Sequence, residues 1–435
     1  MALTDILNLY IMPAALFICG ILLAFKIKLL HILSPVRFFR TLKNAVSGDG
    51  VSPAKAMCTA LAGTFGVGNI AGVATAITAG GAGAVLWMWI GSLVSMSVKY
   101  GEVSLAVKYR KRSHDQFIGG SMYTIRDGMS KHLGKKSARE LGGIFAVLCI
   151  LNSFIMGNVI QTGAACSVFS LSPLLISGIF ALIIITVSAG GAKLLTSITY
   201  ALIPVLSTMY IILSMSVICR NMSLVPKILD LILTEGLGFR SAVGGGVGLG
   251  ITKAIRYGVT RGIFSNEAGC GTSPTAHASA DTRSPHHQGC FGIFEVITDT
   301  PILCTMTALV ILIAEEKNHG VLAVSNGVLL SLRSFEMLLG RAAYYIIGVS
   351  VMLFALATVI AQLYYGRIAV GYLTGEKDSR LFPILFATAA AMSSQFSESV
   401  IWLTADIIIA VMTLINVWVL FVMRKEVSEI SRATY

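Results

Sequence analysis

Apolar residues in this chain fall in blocks of about 20, the length at which an α-helix crosses the hydrocarbon core of a bilayer. In lipid every backbone N–H and C=O must find its partner inside the protein, so blocks of that length commit the chain to membrane helices. Composition agrees: 55% of residues are hydrophobic, 12% are charged and the mean hydropathy is +0.80. Soluble domains carry about 25% charged residues. The expected class is an all-α integral membrane protein, and a soluble enzyme does not fit this pattern.

Eleven transmembrane spans are expected, near residues 8–30, 54–80, 82–107, 141–168, 173–191, 194–219, 241–262, 288–314, 342–373, 381–396 and 398–423. Basic residues set the orientation. With the N-terminus outside and the C-terminus cytoplasmic, most of the 33 Lys and Arg face the cytoplasm, and only Arg220, Lys227, Arg240, Lys317, Arg333 and Arg341 fall outside. That bias also explains the net charge of +12. No basic stripe with interleaved aromatics points to nucleic acid. The eight cysteines lack CxxC spacing and read as small buried hydrophobes with free thiols.

The spans after the first divide into two sets of five. An odd set makes the second half enter from the opposite side, which is the arithmetic of a 5+5 inverted repeat preceded by one accessory N-terminal helix. The expected organisation is therefore an accessory and interfacial segment at 1–53, a first repeat at 54–220 and an external loop at 221–240. A second repeat at 241–423 and a cytoplasmic tail at 424–435 complete it. Segments 31–47 and 224–234 read as amphipathic helices at the bilayer surface.

Glycine interrupts the first helix of each half. One run is Gly63-Thr64-Phe65-Gly66-Val67-Gly68-Asn69, and the other is Gly244-Gly245-Gly246-Val247-Gly248. Each interior glycine costs a helix up to about 1 kcal/mol relative to alanine, and unwound backbone in a membrane is tolerated where it lines a cavity. A single such run more often means close helix packing; two in matching places favour paired breaks. A break bares amides on one stump and carbonyls on the other. The N–H groups of residues 67–69 suit a substrate carboxylate. Carbonyls of Ala62, Thr64 and Phe65 suit a small hard cation such as Na⁺, and those near Val243 and Gly244 suit an ammonium. A zwitterion fits that pair of dipoles.

The stretches GTFGVGNIAGVATAITAGGAGAVLWMWI (63–90), GGSMYTI (119–125) and IRYGVTRGIFSNEAGCGTSPTAHA (255–278), with the segment from Gln288 to Ile311, resemble the alanine or glycine:cation symporter family over essentially the whole chain. That family is similar in fold to the five-plus-five amino-acid transporters typified by the bacterial leucine transporter. The resemblance implies Na⁺-coupled uptake of alanine or glycine by a multi-pass protein of a bacterial plasma membrane. It implies a sodium site formed by Ala62, Phe65 and Thr358. The substrate site it implies comprises Gly66, Val67, Gly68, Asn69, Gln161, Gly244, Gly245 and Gly246. The eighth core helix departs from the family pattern: Ala357 stands where a hydroxyl is usual, and Gln362 replaces a tryptophan one turn from Thr358. Gln362 is therefore a further candidate substrate contact, giving a more polar wall.

Several polar residues remain. Lys99 and Glu102, three residues apart, are expected to neutralise each other. Asp299 is a candidate proton or cation site. Asn266, Glu267 and His277 are expected on the cytoplasmic side as a structural or gating element, and no ligand spacing supports zinc at His277. Gly157, Asn158 and Thr162 either line the pathway or glue helices. The leading expectation is a symporter carrying a small neutral amino acid with Na⁺ by alternating access. The alternative is a proton-coupled or broader transporter that also takes serine or glutamine. An intramembrane enzyme built on Glu267 and His277 would need them at membrane depth beside a nucleophile or metal, and the charge-derived topology places them outside it.

Overall fold

The structure, a computed structural model, describes residues 6–27, 35–43, 50–113, 116–169, 171–238, 247–324, 327–375 and 380–432. Among these residues the regular structure is helical apart from one hairpin pairing Lys111–Ser113 (β1) with Gln116–Ile118 (β2) and an isolated bridge between Val51 and Ala280. The membrane-type helices begin with α1 (Met12–Lys26), followed by the short amphipathic α2 (Pro35–Lys43). Next come α3 (Pro53–Thr64) and α4 (Gly68–Gly80), which form one bent pair, and α5 (Ala84–Lys108). The first half ends with α6 (Lys135–Cys166), α7 (Pro173–Ala189) and α8 (Gly191–Arg220). Surface helix α9 (Val225–Gly236) leads to α10 (Val247–Asn266) and α11 (Pro285–Lys317). After α12 (Gly327–Leu339) come α13 (Arg341–Thr374), α14 (Leu381–Ala391), α15 (Glu398–Val422) and α16 (Arg424–Arg432).

Among the described residues, five helical stretches are individually long and apolar enough to cross a membrane: α6, most of α8, α11, α13 and most of α15. The bent pair α3/α4 makes a sixth, with a 52° turn at its break. Helices α1, α7 and α14 are apolar but shorter. Two of the long helices carry a π-helical segment, Ile155–Val159 in α6 and Thr298–Cys304, with Pro301 inside it, in α11. Such segments free backbone groups and commonly mark functional positions.

Local chemistry starts α3 where it does. Ser52 caps it, its hydroxyl oxygen accepting from the Lys55 N–H at 3.3 Å, and Pro53 supplies the preset φ of a first helical residue. One apolar core joins α3 and α4 to α8, α11 and α13, and a second joins α1, α5, α6, α11 and α15. Helix α5 lies against both α10 and α11. The α5–α10 crossing is close because Gly258 presents no side chain: a Cβ there would sit 2.3 Å from the Ala84 carbonyl oxygen. At the C-terminal end Glu426 of α16 takes Lys108 (2.6 Å) and the Tyr109 hydroxyl (2.6 Å).

The segment containing Asn266, Glu267 and His277, expected on the cytoplasmic side, is enclosed by the protein: Gly262 through Ala280 are all buried. Their polar groups are satisfied internally, through contacts with α5, α11 and α13 described below.

Candidate substrate and cation site

Helix α3 stops because glycine follows. Phe65 leaves helical geometry (φ −77°, ψ 56°), with its N–H on the Leu61 carbonyl at 2.6 Å, and Gly66 N–H turns back to the Thr64 carbonyl at 2.8 Å. Helical bonding resumes when Ala71 N–H reaches Val67 O at 2.7 Å. Between these points the chain swings through 52°. The carbonyl end at 62–65 and the amide end at 67–69 therefore face a common gap, all of it buried.

Residues far apart in sequence close on that gap. Thr358 Oγ1 on α13 lies 2.8 Å from the Ala62 carbonyl and 3.1 Å from that of Phe354; its single proton serves one of them at a time. Gln161 Oε1 on α6 accepts from Val67 N–H at 3.1 Å. Gly66 makes the convergence possible, since a Cβ there would lie 2.7 Å from both Gln161 Oε1 and Thr358 Oγ1. Beside them Phe65, Gly66, Asn69, Ile70, Tyr210, Leu303 and Phe354 line a pocket of about 210 Å³ of empty space, counted to its open edge.

Asn69 carries the break's connection to the second half. Its Nδ2 donates to Asp299 Oδ1 at 2.6 Å, while its own Oδ1 is buried without a hydrogen-bond partner. Asp299 also accepts from Ser265 (2.7 Å) and Thr300 (2.8 Å), so one carboxylate ties α4 to the end of α10 and to the π segment of α11.

The other candidates lie as follows. Gly68 packs on Phe264 and Ser265 of α10. Gln362 sits over Gly157, where an added Cβ would be 2.3 Å from its Cγ, and its Nε2 donates to Glu267 Oε1 at 3.1 Å. It is not among the residues lining the pocket. Glu267 also accepts from Thr272, and is the non-glycine residue with positive φ (50°) among those described. Such backbone costs about 1–3 kcal/mol and persists where the surroundings over-determine it. Asn158 donates to the Phe386 carbonyl at 2.6 Å, and Thr162 bonds Asn158, so this pair joins α6 to α14. Gly244, Gly245 and Gly246 lie outside the described residues, as does Val243.

Lys99 does not pair with Glu102, as the spacing suggests. Its ammonium meets Glu295 of α11 at 3.3 Å and Ser273 at 2.6 Å, whereas Glu102 accepts from Gly271 N–H at 3.0 Å and from Asn416. Both groups point away from α5 toward different neighbours, and helical spacing carries no information about those. Sequence reasoning also missed Tyr210, Leu303 and Phe354 as pocket walls, because an apolar residue within an apolar span gives no signal.

Comparison with known proteins agrees with this architecture. The family model for the sodium:alanine symporter family matches residues 1–434. A transporter of Haemophilus influenzae is 36% identical over 387 residues, covering 88% of this chain and 83% of the relative. The sodium/alanine symporter AgcS of Methanococcus maripaludis is 34% identical over 380 residues, 86% of this chain and 82% of the relative. The probable sodium/glutamine symporter GlnT of Bacillus subtilis is 31% identical over 422 residues, 94% and 84% respectively. A broken, bent membrane helix, a small buried pocket at its break and a match along nearly the whole chain all point the same way: the chain is a membrane transporter and belongs to the sodium:alanine symporter family.

Proposed function

We propose that this protein imports a small neutral amino acid, such as alanine or glycine, together with Na⁺. The single observation that carries the reading is the convergence of Ala62, Gly66, Val67, Gln161 and Thr358 on the gap between α3 and α4. Na⁺ is held by the carbonyls of Ala62 and Phe65 and by Thr358 Oγ1, whose proton turns away from Ala62 when the cation enters. The substrate carboxylate takes the amide end at Gly66, Val67, Gly68 and Asn69, with Gln161 at its edge. Its ammonium faces the second break at Gly244, Gly245 and Gly246. Cation binding neutralises the carbonyl stump and fixes the bend, which is how sodium raises substrate affinity.

The architecture that supports this cycle has eleven spans in a 5+5 inverted repeat, with repeats at 54–220 and 241–423 and the N-terminal helix accessory to them. The first helix of each half rocks with its partners against the remaining scaffold. The N-terminus lies outside and the C-terminus in the cytoplasm of a bacterial plasma membrane. Uptake of labelled alanine into proteoliposomes tests the function. An inward Na⁺ gradient should accelerate accumulation severalfold over an equal K⁺ gradient, and equal uptake in both would remove sodium coupling.

A second reading, proton coupling, is favoured by Asp299, a fully buried carboxyl bound directly to Asn69 at the break. Uptake driven by a pH gradient alone, and lost in Asp299→Asn, would support it. Broader specificity toward serine or glutamine rests on Gln362 and on similarity to a relative named as a probable sodium/glutamine symporter.

A further inference from the structure

A chain of buried polar groups runs from the start of the broken helix to the buried Lys99, and the substrate site does not use it. Gln288 on α11 donates its Nε2 to the carbonyl of Pro53, the first residue of α3, at 3.3 Å, and the same nitrogen lies 2.8 Å from His277 Nδ1. His277 Nε2 is 3.0 Å from Glu295 Oε2, whose other oxygen meets Lys99. All four side chains, His277, Gln288, Glu295 and Lys99, are fully buried.

The protonation pattern follows from what each atom is able to do. A peptide carbonyl only accepts, so the Gln288 amide must present its NH₂ to Pro53. The second hydrogen of that NH₂ points to His277 Nδ1, which must therefore accept and carry no proton. The imidazole is then neutral, with its proton on Nε2 donated to Glu295. Gln288 Oε1, on the far side of the amide, is buried and has no hydrogen-bond partner.

We propose that His277 is a proton-binding site and that Gln288 reads its charge and passes it to α3. A proton arriving at Nδ1 turns that atom into a donor facing the donor NH₂ of Gln288. The amide relieves the clash by rotating Oε1 toward Nδ1–H. The rotation gives the bare oxygen a partner and removes the hydrogen bond from Pro53. Proton binding at His277 thus loosens the start of the first half of the broken helix. Glu295 faces His277 directly and favours an added proton there; the Lys99 ammonium on its other oxygen opposes one, and is itself offset by Glu102 and Glu267. Tyr365 of α13 lies near Glu295 and Glu267, and Tyr364 beside Ser279.

The proposal goes beyond sodium coupling and is tested without substrate. Amide hydrogen exchange across residues 54–60 of the purified full chain is followed from about pH 8 to about pH 5, with rates corrected by an unfolded peptide of the same sequence. Corrected exchange should rise about tenfold in acid in the wild type, the worth of one buried hydrogen bond. It should be pH-independent in His277→Gln, and raised at all pH values in Gln288→Leu. A wild type with pH-independent protection overturns the proposal even if neither variant folds. A His277→Gln protein that keeps the acid rise overturns it as well. Failure of alanine uptake would count against the transport reading and leave this result standing.

Discussion

Gly66→Ala tests the site at its tightest point. The added methyl would lie 2.7 Å from Gln161 Oε1 and 2.7 Å from Thr358 Oγ1, well inside contact distance for both. Both are side-chain ends and both move. Making room in a packed interior costs about 1–3 kcal/mol. Displacing Gln161 also breaks its 3.1 Å bond to Val67 N–H, worth about 1 kcal/mol. The packing cost falls on free and loaded protein alike and lowers thermal stability. Displacement of the two oxygens falls on binding, and each 1.4 kcal/mol is tenfold in affinity. The half-saturating Na⁺ concentration for alanine uptake should therefore rise at least about tenfold, in a protein that still folds. Adding Gln161→Asn, which shortens the obstructing side chain, should restore part of the loss, with a coupling of about 0.5–3 kcal/mol. Gly66→Ala with wild-type Na⁺ and alanine dependence would refute the reasoning.

Thr358→Val keeps the shape and deletes the hydroxyl facing Ala62; the Na⁺ requirement should rise about tenfold, the worth of one buried polar interaction, while the amino-acid preference in competition assays stays unchanged. Gln362→Trp should shift competition toward alanine and glycine over bulkier substrates, and an unaltered profile would place residue 362 outside the specificity wall. Glu295→Gln strips the Lys99 ammonium of its carboxylate in a fully buried setting, and should lower stability by about 3–5 kcal/mol in thermal unfolding. Removing both charges with Lys99→Met and Glu295→Gln should recover much of it.

The sequence made the helices legible and left many of their partners hidden. The apolar block near 342–373 corresponds to α13 (Arg341–Thr374), because burying backbone in lipid forces one helix per block. The break after Thr64 was readable because glycine weakens a helix by its own chemistry. The contact of Thr358 with Ala62 came only through the family resemblance, since no local rule joins residues so far apart. Lys99 found Glu295 rather than Glu102, and Gln362 found Glu267, for that same reason. The burial of Gly262 to Ala280 was not legible, because a polar residue gives no sign in the sequence of the partner that satisfies it.

The central claim is that cation and amino acid share the gap between α3 and α4, so each must strengthen the other's binding. Alanine titrated calorimetrically into the purified protein measures this directly. In Na⁺ the affinity should exceed that in choline by tenfold or more, and Thr358→Val should narrow the difference. Equal affinity in the two salts would contradict a shared site at the broken helix.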